Sequence, residues 1–202
     1  MTSLFQQIET LIPALPGWCT IEKSQRMAAM VLALRPTVSC EIGVFGGRSF
    51  FGLALAHKFL GHGTAIGVDP WSNHAAVEGY EGENAKWWSE QPLEQIYERF
   101  MQDVHLLGLQ NVTTILRQKS DDVTPPENIS VLSLDGQHSE QAVRDVKRYA
   151  VNVRVGGIVI MDDLNWENDG DKPVQRAVVA LKEMGFISLY HVDSSEVFQR
   201  VK

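Results

Sequence analysis

What this chain of 202 residues lacks narrows its chemistry. It has only two cysteines, Cys19 and Cys40, with no cysteine or histidine partner motif around either. That excludes a disulfide framework and a zinc site built on cysteine pairs; Cys40 reads as a small buried hydrophobe. Basic charge is scarce too: 18 Lys and Arg face 25 Asp and Glu, for a formal net charge of −7. Binding to nucleic-acid phosphates calls for clustered cations, so nucleic acid is not the expected partner. The densest basic grouping, Arg144 to Arg148, is interrupted by Asp145 and reads as a solvated helix face. No apolar run approaches the roughly 18 residues of a membrane span. No basic region followed by an apolar run opens the chain, so the expectation is a cytoplasmic protein without a membrane partner. Internal repeats and low-complexity tracts are absent. What remains is 44% hydrophobic and 21% charged, the balance of a globular domain. The length predicts a single domain over residues 1–202, with residues 1–36 as an N-terminal helical cap.

The chain is organised around Val38 to Phe51. A β-branched and apolar run, Val38 to Ile42, breaks at Gly43, Gly46 and Gly47, and a helical apolar pattern starts at Ser49. Strand, glycine turn, helix is the opening of a doubly wound nucleotide-binding unit. Glycines permit the tight turn and let a ligand approach bare backbone. The helix start behind them offers free N–H groups and a positive dipole end, and Ser49 suits the cap position.

The spacing is Glu-x-Gly-x-x-Gly-Gly-x-Ser, not the Gly-x-Gly-x-x-Gly of dinucleotide enzymes. Glu41, two positions before the first glycine, suits a cationic or amino-bearing ligand. Here the sequence resembles the class I S-adenosylmethionine-dependent methyltransferases, whose first motif has this form. The resemblance implies a cofactor site at Glu41, Gly43, Phe45, Gly46, Gly47 and Ser49.

Thr64 to Asp69 reads as a second strand ending in an acid. The distance from the glycines fits the carboxylate that accepts both hydroxyls of a ribose diol in doubly wound folds. Pro70 and Trp71 follow, and Val-Asp-Pro-Trp resembles the second motif of one methyltransferase branch. Residues 72–90 form a polar run with Tyr80 and the pair Trp87 and Trp88. That run is long for a connection and is expected to be a lid insertion whose aromatics wall an acceptor pocket. Trp18, in the turn before the second helix, is expected near the glycine loop, either covering the cofactor or as a core aromatic. A helix over 91–107, a strand over 112–116 and a strand over 130–134 follow. Ser120 and Asp121 fall where related enzymes contact the adenine edge.

The fourth strand runs into Asp135-Gly-Gln-His138, a helix from Ser139 to about Val153 comes next, and a fifth strand, Ile158 to Met161, ends in Asp162 and Asp163. Asp-Gly-x-His and Gly-Gly-x-x-x-x-Asp-Asp resemble motifs of a branch that includes metal-dependent sugar O-methyltransferases and cephalosporin-hydroxylase-like proteins. A helix over 172–184 and strands over 186–192 and 196–201 close the chain. The element order implies an α/β, Rossmann-like doubly wound sheet of seven strands, mostly parallel with one antiparallel strand, and helices on both faces.

If strands four and five are neighbours, Asp135, Asp162 and Asp163 gather at the ligand edge and repel. A divalent cation such as Mg2+ would resolve that conflict and could hold a substrate hydroxyl as its alkoxide. His138 is the expected general base, with Asp135 as a second catalytic group and a further cofactor contact. Together these features imply a methyltransferase (EC 2.1.1.-) using S-adenosylmethionine on the oxygen of a small-molecule acceptor; a homodimer is compatible with it. The alternatives are a hydroxylase-like relative, a non-catalytic ligand-binding relative, and a nucleotide-dependent oxidoreductase, which the glycine spacing disfavours.

Overall fold

The computed structural model describes residues 3–167 and 170–202. Two helices come first: α1 (Leu4–Leu11), closed by a reciprocal Ser3–Gln6 capping box, and α2 (Ile21–Leu34), capped by the Thr20 side chain. β1 (Val38–Ile42), α3 (Phe50–Leu60) and β2 (Thr64–Val68) form the glycine-loop unit. Residues 72–90 are not an irregular excursion. They fold as two short helices, α4 (Asn73–Ala76) and α5 (Gly82–Glu90), joined where the Asn73 amide donates to the carbonyls of Trp88, Ser89 and Gln91. Then come α6 (Leu93–Leu106), β3 (Thr113–Leu116), β4 (Ile129–Leu134), α7 (Glu140–Tyr149), β5 (Val153–Met161), α8 (Pro173–Glu183), β6 (Phe186–Val192) and β7 (Ser195–Arg200).

These strands make one seven-stranded sheet in the order β3-β2-β1-β4-β5-β7-β6. All neighbours are parallel except at β7, which runs antiparallel to both β5 and β6. The expected sheet is therefore present. β5 begins five residues before the expected Ile158, because Val153 pairs with Ile129 and the following glycines take up a register shift. α7 accordingly ends at Tyr149.

Successive strand residues point to opposite faces, and both faces are covered. Val131, Ile158 and Ile160 pack with α1, α2, α3 and α6, whereas Leu132, Val159 and Met161 pack with α7 and α8. Apolar runs buried on both sides explain why these strands read as continuous rather than alternating. No described helix is long and apolar enough to cross a membrane.

The order reverses between β1 and β4, so the crevice beyond their carboxyl ends is where ligands bind in such folds. Gly43 ends β1 there with φ +84°, and a Cβ on it would lie 2.1 Å from the Asp135 carbonyl oxygen. Gly43→Ala should destabilise the protein by about 2–4 kcal/mol, overpacking added to left-handed strain. Gly61→Ala, where φ is +62° and a Cβ meets nothing within 4 Å, should cost only about 1–2 kcal/mol. Urea denaturation midpoints of the two variants check the difference.

Candidate functional site

The carboxyl ends of β1, β2, β4 and β5 open into one cavity of about 580 Å3, closed above by α4, α5 and the turn before α2. Its floor is the glycine loop. Val44 and Phe45 turn their N–H groups onto one oxygen of Asp69, Oδ2, each at 2.9 Å, and Trp71 donates to Oδ1 at 2.7 Å. Phe45 and Trp71 both have positive φ, +48° and +42°, conformations that a branched network of this kind can hold. Asp69 thus braces the loop and still lines the cavity. Three N–H bonds leave a lone pair on Oδ1 for a ligand.

Glu41 lies behind the loop, fully buried, with neither carboxylate oxygen hydrogen-bonded. Burial pushes it up to about 7, although the Ser49 hydroxyl, the Lys23 ammonium and the Ser133 hydroxyl pull it down. Ser49 stands at the cap position before α3, but its side chain caps nothing, since its backbone is already helical. Its hydroxyl instead lies near enough to Glu41 to lower that carboxyl's proton affinity.

The carboxylate edge is arranged differently from three acids facing a common centre. Lys23 of α2 is 1% exposed and donates to Asp162 Oδ2, with Asp135 Oδ2 3.8 Å from its ammonium. Asp162 Oδ1 accepts from the Asp163 N–H and the hydroxyls of Ser194 and Ser195 at 2.9, 2.8 and 2.6 Å. Both carboxylate oxygens of Asp162 are thus engaged within the protein. Burial would raise Asp162, but Lys23 overrides it and holds the carboxyl far below its usual range. Asp135 is raised well above the carboxylate range by burial and by Asp162, so the two acids divide the roles of proton holder and anion.

His138 sits on the turn after β4, its N–H donating to the Tyr80 hydroxyl of the α4–α5 segment at 2.7 Å. Its Nε2 is buried without a hydrogen-bond partner, 3.4 Å from Asp163 Oδ2. Burial lowers its proton affinity, against the raising influence of Asp163 and Asp162. Donor atoms of Asp135, His138 and Asp163 lie within 4.8 Å of one another. Asp162 does not join them. The expected ligand set of Asp135, Asp162 and Asp163 therefore does not fit a divalent ion, because Asp162 is committed to Lys23 and two hydroxyls. The trio with His138 would set an ion beside an ammonium 3.8 Å from Asp135. It would also occupy the buried, unpartnered Nε2 of His138.

Aromatic side chains form two walls. Trp18 stacks on Phe45 with centroids 5.3 Å apart, and Trp87 and Trp88 of α5 close around them. Trp18 is 67% exposed, so it covers the loop rather than filling the core. Tyr80 and His138 both pack on Trp166, each at 5.5 Å. At the far end, Gln141 donates to both the Ser120 hydroxyl and Asp145.

Of the residues singled out in the sequence, Gly43, Phe45, Gly46, Ser49, Asp69, Pro70, Ser120, Asp135, His138, Asp162 and Asp163 line the cavity. Glu41, Gly47, Trp71 and Asp121 do not. Gly47 packs under Phe51 and Phe100, and Trp71 is buried against Tyr97 and Phe100 with its indole N–H on the Phe45 carbonyl. Asp121 faces Arg144 and Arg148 outside. Sequence reasoning missed Lys23, Gln141, Asp145 and Trp166. Lys23 had a signal: it shares the helical stripe of Met27 and Val31, and a lysine in an apolar stripe needs a buried partner.

Residues 40–164 match the family described as a methyltransferase domain. Solved structures similar over the whole chain include three methyltransferases. The O-methyltransferase from Bacillus cereus, in complex with SAH, is 15% identical with a TM-score of 0.66, covering 100% of this chain and 92% of that one. The SAH-bound methyltransferase PaMTH1 of Podospora anserina is 11% identical with a TM-score of 0.70 over 100% and 89%. The O-methyltransferase TomG from Streptomyces achromogenes, involved in tomaymycin synthesis and in complex with SAM, is 14% identical with a TM-score of 0.63 over 100% and 91%. At these identities the likeness establishes the fold. No curated protein sequence matches the chain.

Glu41 yields a pH prediction. Its carboxyl titrates near 7 in the folded protein against an ordinary 4.5. Between these values the folded state holds a proton that the unfolded chain has lost, so stability falls as pH rises through that window and the loss is complete above it. Glu41→Gln cannot ionise. The melting temperature of the variant minus that of the wild type should therefore climb between about pH 5 and 7 and level off above. Differential scanning fluorimetry across that range checks it; a constant difference would mean that Glu41 titrates normally.

Proposed function

The chain belongs to the methyltransferase-domain family that matches its residues 40–164, and on that premise we propose that it transfers a methyl group from S-adenosylmethionine to a hydroxyl oxygen of a small molecule. The observation that carries this reading is the single cavity joining the braced glycine loop at one end to His138, with its unpartnered Nε2, at the other. When bound, S-adenosylmethionine supplies an electrophilic sulfonium methyl. The neighbouring folds that bind SAM or SAH support this choice of cofactor.

Gly43, Phe45 and Gly46 would offer backbone to the ligand, and Ser49 a hydroxyl. Asp69 would take a ribose hydroxyl on its remaining lone pair. Glu41 would act from behind the loop as the countercharge to an amino group, while Gly47 and Trp71 hold the loop in place. For the adenine edge, Ser120 is joined by Gln141 and Asp145; Asp121 faces outward and contributes charge to the surface. Pro70 walls the same end.

On the acceptor side, His138 would take the hydroxyl proton. Burial keeps its imidazole neutral, and a free Nε2 is the atom a base needs. Asp135, raised and close by, would hold a hydrogen bond to the acceptor. Alignment of the acceptor oxygen with the methyl supplies the rest of the rate. The acidic walls and net charge of −7 favour a small neutral or cationic acceptor over nucleic acid. The same reading sets the enzyme in the cytoplasm and makes residues 72–90 a lid, because Tyr80 and Trp87 reach over the cavity from it.

S-adenosylhomocysteine should raise the melting temperature by mass action. Asp69→Ala should weaken its binding by roughly 1.5–3 kcal/mol, measured calorimetrically. Tight NADH binding without a response to S-adenosylhomocysteine would overturn the cofactor assignment. His138→Ala should lower turnover by about 10² or more and leave S-adenosylhomocysteine affinity unchanged. For the lid, limited proteolysis should nick residues 72–90 in the free protein and spare them with ligand bound.

A further inference from the structure

Three carboxylates at the ends of two adjacent strands need a positive charge, and this chain brings its own. Lys23 arrives from α2, 139 residues away from its partner Asp162. It is the only lysine or arginine among the buried residues described, and it lines the cavity where Asp135, Asp162 and Asp163 converge. Such burial is strongly unfavourable for an ammonium unless it is paired. Here burial is outweighed by Asp135 and Asp162, which hold the group charged beyond its ordinary range.

The side chain could not be in this place by accident of packing. Thr20 caps α2 and accepts the Lys23 N–H at 3.1 Å, and the Thr20 hydroxyl also bonds Asp193 in the β6–β7 turn. That turn supplies Ser194, which completes Asp162. The helix end, the strand end and the hairpin are thus fixed around one ammonium.

We propose that Lys23, and not a divalent metal ion, is the resident cation of the carboxylate edge. The proposal rests on the methyltransferase reading only in calling this the acceptor side. One Nζ donor is spent on Asp162, and the remaining N–H groups are available to Asp135 and to an acceptor oxygen in the cavity. With its other donors on Asp162 and Asp135, this ammonium offers the acceptor one oxygen contact, whereas a magnesium ion takes several oxygen ligands at once. An acceptor here needs only one hydroxyl, with the proton leaving to His138.

The test uses the full chain saturated with S-adenosylhomocysteine and titrated with MnCl2, free Mn2+ being read by electron paramagnetic resonance. Wild type should show no site tighter than about 1 mM, the weak end of carboxylate cation sites. Lys23→Met should gain a site at least about tenfold tighter, since a repelling charge some 4 Å away is removed. Adding Asp162→Asn should abolish the gain. Lys23→Arg retains the charge and should bind no Mn2+. A micromolar wild-type site lost in His138→Ala or Asp135→Asn would overturn the proposal, and so would a folded Lys23→Met that gains nothing. If circular dichroism finds Lys23→Met unfolded, the wild-type and Lys23→Arg titrations decide. Failure of S-adenosylhomocysteine to bind wild type would remove the cofactor assignment while leaving the Mn2+ result to be read on its own.

Discussion

Asp162 is the knot of this structure. One carboxylate takes an ammonium from the N-terminal helix, a backbone N–H from its own strand end, and two hydroxyls from the C-terminal hairpin. Removing one partner of a buried ion pair costs about 3–5 kcal/mol, because the other charge stays behind unsolvated. The pair is therefore better seen as a constraint on where α2 and the hairpin can sit than as a source of net stability. With those two elements fixed, the acceptor end of the cavity has its walls.

A second carboxylate does the same for the other end. Asp69 pins the glycine loop through three N–H groups, and the loop in turn holds Phe45 for Trp18 to stack on. Bracing of this kind is why Phe45 in the loop and Trp71 after β2 can both keep positive φ. It also means that the acid on β2 is both scaffold and ligand contact, a dual role that a motif does not reveal. Glu41 differs again: neither carboxyl oxygen has a hydrogen-bond partner, which leaves it free to take or release a proton directly under the loop.

Between the two ends lies the segment of α4 and α5. Tyr80 receives the His138 N–H, and Trp166 packs on both rings, so the cover and the proposed base are positioned together. Any motion of the segment would be felt at the imidazole.

The seven-strand sheet was legible because each strand is a short apolar run and each break is a glycine, proline or polar cluster; burial on both faces writes that pattern directly into the chain. The loop and the acids at the strand ends were legible for a related reason, since backbone geometry at a switch point restricts which residues can stand there. The sequence by itself thus determined the sheet, its helices, the crevice and which strand-end residues border it. Tertiary structure alone decided how those residues are used. Glu41, Gly47, Trp71 and Asp121 carry the motif yet turn away from the cavity, whereas Lys23, Gln141, Asp145 and Trp166 enter it from helices and a turn outside the motifs. Asp162 looked like a metal ligand until a lysine 139 residues earlier was folded onto it. Charge pairing across that separation depends on where two elements meet in space, and local pattern holds no record of it.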